Sequence, residues 1–212
     1  MGSTGNGPKT DVTLSKRKER RLIKAAQNGC ADAARQLVEA HKERLFAFVW
    51  RILRDHHDAE EICQDAFLRA FSRLDSFSQE YRFSTWLFTI AYRLCLNQLR
   101  RHPPLTGEVE FSAFDGGEED AGEQIASSEE ARRLKDTVWS SVDKLSVHQR
   151  ATVLLFYREN MSCDQIGEVL EMPVATVKSH LHRARTRLRE MLTPQLAADW
   201  TALRFFGEGG AG

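Results

Sequence analysis

Residues 163–182 have the sequence CDQIGEVLEMPVATVKSHLH, which predicts a helix-turn-helix. Counted from the first residue, apolar side chains fall at positions four, eight, ten, fifteen and nineteen, as expected for two short helices packed at a steep angle. Gly167 is small enough for the second helix to approach closely. Ser162 and Gln165 predict a capping box before the first helix, and Pro173 suits the first turn of the second. An αα-hairpin without a role in DNA binding is the alternative.

The second helix of this motif is predicted over 174–192. At 100° per residue, its apolar residues form one buried stripe, which comprises Val177, Leu181, Ala184, Leu188 and Leu192. Between 174 and 189 there are five basic residues and no acidic one, so the helix can lie in the major groove of DNA. We expect Ser179, His182 and Arg183 to contact base edges. Thr176, Lys178 and Arg187 are expected to position the phosphate backbone. A solvated basic face is the alternative for each arginine.

A helix with an acidic surface is predicted over 58–74, with Asp58 as its N-cap. Residues 55–65 contain five acidic residues and no basic one, and Leu68 is an isolated apolar residue beside them. An apolar anchor ringed by carboxylates suits docking onto a basic protein surface. A solvated acidic face is the alternative. A metal site is disfavoured, because its candidate ligands scatter around the helix: His56, His57, Asp58, Glu60 and Glu61.

The next helix, predicted to begin after a Ser84 cap, interleaves aromatic and basic residues. Residues 82–101 hold four arginines and no acid. One stripe of the helix carries Trp86, Thr89, Arg93, Asn97 and Arg100. Rings stack on bases and guanidiniums hold phosphates, so this pattern suits single-stranded nucleic acid. The preceding loop could form a pocket for an extruded base. The alternative is an aromatic core helix whose arginines extend to the surface.

The formal net charge of the 212-residue chain is zero, which at first argues against binding to nucleic acid. The charge is segregated, however. Residues 19–104 hold fourteen basic and eleven acidic residues, and residues 132–193 hold eleven and seven, whereas residues 105–131 hold nine acidic and no basic ones. We therefore predict an all-α chain of two small basic helical domains, 19–104 and 132–193, joined by a flexible acidic linker. A disordered lead-in, 1–18, and a tail, 194–212, flank them.

The composition also excludes several classes of protein and site. The four cysteines (Cys30, Cys63, Cys95 and Cys163) form no CxxC pair, which argues against a zinc site or a disulfide framework. We expect buried free thiols in a reducing cytoplasm. No apolar run approaches the roughly 20 residues that a bilayer crossing needs, and residues 1–18 lack the apolar core of a signal peptide. His180 and His182 would point about 160° apart on a helix, so this pair is not expected to bind a metal ion. No other cofactor is expected.

Three blocks of the sequence resemble a family: DAEEICQDAFLRAFSRLDSF, FSTWLFTIAYRLCLNQLRR and LSVHQRATVLLFYRENMSCDQIGEVLEMPVATVKSHLHRARTRLRE. They occur in the order found in the extracytoplasmic-function, or group 4, sigma factors of bacterial RNA polymerase. The resemblance covers roughly residues 20–192. It implies a cytoplasmic, non-catalytic polymerase subunit that recognises promoters and begins strand separation. Residues 19–104 would be the sigma region-2 domain and 132–193 the region-4 domain.

The resemblance also implies roles for individual residues. Region 4 would contact the β-flap and bind the −35 element through Thr176, Lys178, Ser179, His182, Arg183 and Arg187. Region 2 would bind the −10 element through Asp75, Ser76, Phe77, Arg82, Trp86, Thr89, Arg93, Asn97 and Arg100. The polymerase β′ clamp would contact Asp58, Glu61, Gln64, Asp65 and Leu68. The acidic linker would thread toward the RNA-exit channel, and an anti-sigma factor is the expected further partner.

Two other functions compete with this interpretation. A free-standing helix-turn-helix regulator would account for residues 145–192 but would leave the 58–101 pattern unused; binding to core polymerase separates the two. A metal-dependent helical enzyme would carry stoichiometric bound metal.

Overall fold

The computed structural model describes residues 14–78, 81–102 and 129–193, and within these ranges the protein is all-α. The helices are α1 (Lys16–Gln27), α2 (Ala31–Leu53), α3 (His56–Ser72), α4 (Phe83–Arg101), α5 (Glu129–Asp143), α6 (Val147–Val153), α7 (Cys163–Leu170) and α8 (Val174–Leu192). A short 3₁₀ turn, Leu74–Ser76, follows α3, and a π-helical segment, Leu154–Arg158, extends α6. The all-α prediction is confirmed for the described residues.

The helix-turn-helix forms where the sequence predicts it. Ser162 Oγ accepts a hydrogen bond from the Gln165 amide at 3.2 Å, and the Ser162 amide donates to Gln165 Oε1 at 2.9 Å, which completes the predicted capping box of α7. The second helix has the predicted bounds. Pro173 is its N-cap rather than a residue of its first turn.

The turn between α7 and α8 depends on two backbone features. A Cβ atom at Gly167 would lie 2.9 Å from the carbonyl oxygen of Met172, so only glycine fits without a shift of the backbone. Glu171 ends α7 in the left-handed conformation, with φ of 55°. Together they let α8 turn sharply and pack against α7.

Two predicted helix starts are wrong by two or three residues. Asp55, not Asp58, is the N-cap of α3, and its side chain accepts a hydrogen bond from the Asp58 amide at 2.8 Å. Both aspartates suit a cap, and Asp55 takes the extended backbone that a cap requires. The next helix starts at Phe83 with Arg82 as its N-cap, so Ser84 lies inside the first turn.

The beginning of the described chain is more ordered than predicted. Ser15 caps α1 by accepting a hydrogen bond from the Lys18 amide at 3.3 Å, and Leu14 is buried. Residues 14–18 of the predicted lead-in therefore belong to the fold. Residues 1–13, most of the predicted linker and the predicted tail lie outside the described residues.

The hydrophobic core connects the two predicted domains. One buried cluster contains apolar residues of α2, α3 and α4 together with residues of α6, α7 and α8, among them Leu155, Ile166 and Leu181. A smaller cluster joins α5, α6 and α8 through Val142, Leu145, Val153, Ala184, Leu188 and Leu192. All five residues of the predicted α8 stripe are buried. Apolar surface from both halves of the chain is thus removed from water in one interface.

The prediction that the cysteines are buried holds for two of the four. Cys63 and Cys95 are buried and Cys163 is half-buried, but Cys30 is exposed because it precedes α2 on the surface. All four are free thiols. Within the described residues no helix is long and apolar enough to cross a membrane, and no group of three potential ligands could hold a metal ion.

Candidate nucleic-acid interface

Helix α8 carries the residues predicted to contact duplex DNA, here called the α8 surface: Thr176, Lys178, Ser179, His182, Arg183 and Arg187. Lys178, His182, Arg183 and Arg187 are exposed, and the two hydroxyl residues are half-buried. An open groove of about 510 Å³ runs beside them, lined by Gln149, His182, Arg183, Thr186, Arg187 and Glu190. The fold therefore brings His182, Arg183 and Arg187 together on an accessible face, whereas Lys178 lies on the opposite flank of the helix from Arg187.

Two other polar residues of α8 turn away from that face. Arg185 donates from Nε to the Tyr157 hydroxyl at 2.8 Å, and its guanidinium lies 5.5 Å from the Phe156 ring centre. His180 is half-buried with its ring 6.0 Å from that of His148. Burial lowers the pKa of His180, and the neighbouring His148 and Arg183 lower it further. Both residues thus secure α8 to the rest of the fold.

The outer side of α3 carries the predicted polymerase contacts, here called the α3 surface: Asp58, Glu61, Gln64, Asp65 and Leu68. Leu68 is 70% exposed, an unusual position for a large apolar side chain. Asp65 pairs with Arg69 at 2.8 Å, and Glu61 lies 3.6 Å from His57. Asp58 is half-buried and accepts a hydrogen bond from Gln98 of α4 at 2.9 Å. An exposed leucine, with Glu61 and Asp65 on the turns before it, is therefore available to a partner.

The predicted −10 contacts lie on the turn after α3 and along α4, and are here called the α4 surface: Asp75, Ser76, Phe77, Arg82, Trp86, Thr89, Arg93, Asn97 and Arg100. Phe77 is only 8% exposed, and its ring packs 5.0 Å from that of Trp86 and 6.0 Å from that of Phe83. Arg82 pairs with the buried Glu19 at 3.0 Å and donates to the Leu14 carbonyl at 3.2 Å. These aromatic rings and this arginine consequently belong partly to the core.

The rest of the α4 surface is more accessible. Asp75, Ser76, Arg93, Asn97 and Arg100 are exposed, whereas Trp86 and Thr89 are half-buried. The Thr89 hydroxyl donates to the Thr85 carbonyl at 2.8 Å, and Arg100 donates to Asn97 Oδ1. One side of α4 therefore offers polar and cationic groups beside a partly covered aromatic cluster.

The architecture matches two family models. The one described as Sigma-70 region 2 matches residues 37–103, which include α3 and α4. The one described as Sigma-70, region 4 matches residues 135–188, which include the helix-turn-helix.

Full-length relatives agree with this match. The ECF RNA polymerase sigma factor SigW of Bacillus subtilis is 33% identical over 186 residues, which cover 82% of this chain and 96% of that protein. The chain belongs to the extracytoplasmic-function sigma factors. The RNA polymerase sigma-H factor of Pseudomonas aeruginosa is 29% identical over 190 residues and is covered to 98% of its length. The protein is thus a promoter-specific sigma factor of RNA polymerase.

Solved structures show the same fold. The structure of CnrH in complex with the cytosolic domain of CnrY aligns with a TM-score of 0.60 and 25% identity, covering 86% of this sigma factor and 99% of that chain. The sigma factor RpoE of Bartonella quintana, solved in complex with the anti-sigma factor NepR, aligns with the same TM-score at 23% identity, covering 75% and 96%.

In this sigma factor, region 2 packs directly against region 4. The Tyr92 hydroxyl of α4 forms a 2.7 Å hydrogen bond with His148 Nδ1 of α6. Arg93, next to Tyr92, forms an ion pair with Glu171 at the end of α7. That contact lowers the pKa of the Glu171 carboxyl. One member of the α4 surface is therefore already paired with a carboxylate of region 4.

A second set of contacts joins the end of α2 to α5. Asp143 is buried and lies 3.3 Å from Arg54 and 3.8 Å from Arg51. Arg150 donates to the Arg51 carbonyl at 2.9 Å, and burial lowers its pKa. Burial also lowers the pKa of Arg51 to about 10, although the charge of Asp143 acts in the opposite direction. Asp143 thus contacts three arginines, Arg51 and Arg54 through its carboxylate and Arg150 through its backbone carbonyl.

A third contact lies between α2 and the segment after α6, where Arg44 pairs with Glu159, whose side chain is only 1% exposed. No local sequence pattern marks these interface residues. Arg44 and Glu159 are separated by 115 positions, so no local periodicity relates them. One weak sequence signal was present. Asp143 at the end of α5 and Glu159 after the π-helical segment are acidic residues among apolar neighbours.

Proposed function

We propose that this sigma factor binds the −35 element of its promoters through the α8 surface. The observation that carries the proposal is the accessible groove beside His182, Arg183 and Arg187, on a helix with no acidic residue before Glu190. An α-helix fits the major groove, where arginine and histidine side chains meet base edges and phosphates. Because Arg185 turns inward to Tyr157, its neighbours on α8, but not Arg185 itself, are available to bind DNA.

The α4 surface is proposed to bind the −10 element and to hold it in the single-stranded state. Arg93, Asn97 and Arg100 provide exposed polar groups for a phosphate backbone, and Trp86 adds an aromatic ring beside them. Stacking on aromatic rings contributes about 1–3 kcal/mol per base, which offsets part of the lost duplex stacking. Binding energy, and not covalent chemistry, would then separate the strands. Asp75, Ser76 and Phe77 form the proposed pocket loop.

The α3 surface is proposed to dock on the β′ clamp of core polymerase, with region 4 contacting the β-flap. Leu68 would be the apolar anchor, with the carboxylates of Glu61 and Asp65 on the preceding turns of α3. An exposed leucine in an acidic field suits a basic partner surface with an apolar recess.

We further propose that the protein is non-catalytic, acts in the cytoplasm and is controlled by an anti-sigma factor. The similarity to CnrH, which was solved with the cytosolic domain of CnrY, supports such a partner. The acidic linker is proposed to occupy a nucleic-acid channel of the polymerase.

In vitro transcription with core polymerase and a promoter library tests the whole proposal. We expect initiation at a defined set of promoters only when this protein is added. An Arg183→Ala holoenzyme should lose selection at the −35 position, whereas Arg35→Ala, which removes an exposed arginine of α2, should select as wild type. Initiation that does not depend on the protein, or unchanged −35 selection by Arg183→Ala, would refute the assignment.

A further inference from the structure

Helix α1 carries a dense group of cations that none of the functions assigned above uses. Six exposed lysines and arginines occur within residues 16–24 and are here called the α1 surface: Lys16, Arg17, Lys18, Arg20, Arg21 and Lys24. The single acidic residue of the helix, Glu19, is 3% exposed and points into the fold, where it pairs with Arg82 at 3.0 Å. Within α1, no carboxylate therefore offsets the positive charge of the outer side.

The arrangement of these cations around the helix is unfavourable for a surface that meets only water. At 100° per residue, Arg17, Arg21 and Lys24 lie within about 60° of one another and face away from Glu19. Like charges four positions apart, as in Arg17 and Arg21, destabilise a helix. A polyanion bound across this side would relieve the repulsion, whereas water alone only screens it.

Two sets of hydrogen bonds hold α1 next to the pocket loop. At the C-terminal end of α1, Gln27 donates from Nε2 to the carbonyl of Leu74, which begins the turn that contains the pocket loop, at 2.8 Å. Near the other end, Arg82 pairs with Glu19 and donates to the Leu14 carbonyl at 3.2 Å. The inward side of α1 thus fixes the position of the cations on its outward side.

The α1 surface is continuous with the surface assigned to the −10 element. Lys16 and Arg20 line a cavity of about 160 Å³ that is also lined by Phe77 of the pocket loop and by Arg82. The α4 surface extends from this loop along α4 to Arg100, so α1 lies at its pocket-loop end. A nucleic-acid strand that follows α4 and passes the pocket loop would next meet the cations of α1.

We propose that the α1 surface binds the phosphate backbone of promoter DNA immediately beyond the −10 element. The proposal rests on the function assigned above to the α4 surface. Twelve residues make α1 about 18 Å long, which matches roughly five phosphates of one B-form strand. Such contacts carry no sequence information, but they raise affinity and fix the path of the strand.

Two observations favour DNA over other polyanions. The apolar side of α1 is used in the core, where Ile23 is 1% exposed, so it is not available to enter a lipid surface. The neighbouring α4 surface already brings a DNA strand to the pocket loop, so phosphates lie within reach without a further partner. An acidic protein surface would have to share this space with the strand.

The test measures binding of holoenzyme to a fluorescent single strand with the non-template −10 sequence of a promoter selected by transcription. The same strand is also used with about five further nucleotides at its 5′ or its 3′ end, enough to span α1. One of the two extensions should strengthen binding by wild type. Arg17→Gln/Arg21→Gln should bind that extended strand about tenfold more weakly, and the slope of log affinity against log salt should fall by about 1.4. Its affinity for the short strand should stay within about twofold of wild type.

Two control variants separate phosphate binding from other effects of the substitutions. Arg17→Lys/Arg21→Lys keeps both charges and should bind the extended strand nearly as wild type does. Lys135→Gln/Lys144→Gln makes the same change of charge at exposed positions of region 4 and should leave binding of all three strands unchanged. Arg17 and Arg21 are exposed and repel each other, so replacing them should not lower the melting temperature.

Equal binding of both extended strands by wild type and by Arg17→Gln/Arg21→Gln would overturn the inference, as would an equal loss in Lys135→Gln/Lys144→Gln. Weaker binding of that α1 variant to core polymerase, with unchanged affinity for DNA, would also overturn it and would make the α1 surface a protein contact. Failure of the function assigned to the α4 surface looks different: wild-type holoenzyme would bind the short −10 strand no better than a scrambled strand, and Arg100→Ala would not change its affinity.

Discussion

The guanidinium carbon of Arg51 lies 3.7 Å from the centre of the Trp139 ring. Arg51 belongs to α2 in region 2 and Trp139 to α5 in region 4, so this cation–π contact spans the interface between the regions. The ring centre of the neighbouring Trp50 is 5.2 Å from the same guanidinium. A cation in contact with an indole of each region is well placed to join the two halves of the protein.

Replacing Trp139 with alanine should lower the free energy of unfolding by about 2–3 kcal/mol, since it removes packing from both core clusters and the stack on Arg51. Urea unfolding followed by circular dichroism measures the change. Tyr81→Ala is the control, because Tyr81 is an exposed aromatic residue and its loss should cost less than about 0.5 kcal/mol. Equal losses for the two variants would show that the interface stack adds nothing.

Gly167→Ala should destabilise region 4, although alanine is favoured over glycine inside helices by about 1 kcal/mol. The added methyl group would approach the Met172 carbonyl to 2.9 Å, so α8 must shift away from α7. We expect a loss of about 1–3 kcal/mol, together with weaker binding to −35 duplex DNA. Thermal unfolding and fluorescence anisotropy measure the two effects. A stabilised variant would mean that the turn accommodates a side chain without strain.

The sequence predicted well those features that local chemistry determines. The capping box at Ser162 and the bounds of α8 follow from residues within a few positions of each other. The cap of α3 was misplaced because Asp55 and Asp58 carry the same signal three residues apart. The exposure of Leu68 was recognisable, since periodicity placed it among acidic residues.

The closed packing of the two regions could not be predicted from local patterns. Arg93 and Glu171 are 78 positions apart, and each looks like an ordinary surface residue of its own helix. Phe77 was predicted in a DNA-binding loop, yet its ring also packs on Trp86. Such pairings depend on how two amphipathic units meet, which periodicity within either unit does not specify.

Leu68→Ala should weaken binding to core polymerase by about 10- to 30-fold, since a central apolar anchor contributes about 2 kcal/mol to an interface. Its side chain is 70% exposed, so the melting temperature should remain within a degree or two of wild type. Fluorescence anisotropy with labelled protein and core enzyme measures the affinity. Ser72→Ala, an exposed change one turn further along α3, should bind normally. Normal binding by Leu68→Ala would remove this residue from the docking surface.

The cysteines should react in a definite order with a disulfide reagent such as DTNB at pH 8. Burial raises the pKa of Cys63 to about 12 and that of Cys95 even further. Both therefore remain thiols rather than reactive thiolates until the protein unfolds. Cys30 is exposed and should react first, and Cys163, half-buried, more slowly. Cys30→Ser should abolish the fast phase. Fast labelling of Cys63 or Cys95, located by peptide mapping, would contradict the buried placement.

Arg183→Ala and Trp86→Ala should impair different steps of initiation. Arg183 is exposed on the α8 surface, so its loss should weaken binding to −35 duplex DNA by about tenfold while leaving the opening step unchanged. Trp86 is half-buried beside Phe77 on α4, so its loss should reduce promoter opening more than closed-complex formation. Closed complexes are measured by anisotropy with holoenzyme, and opening by permanganate reactivity of unpaired thymines. Circular dichroism must first establish that Trp86→Ala folds, since the indole also packs on Phe83. If both variants reduced duplex binding equally and left opening per bound complex unchanged, the assignment of −35 binding to α8 and of promoter opening to α4 would be wrong.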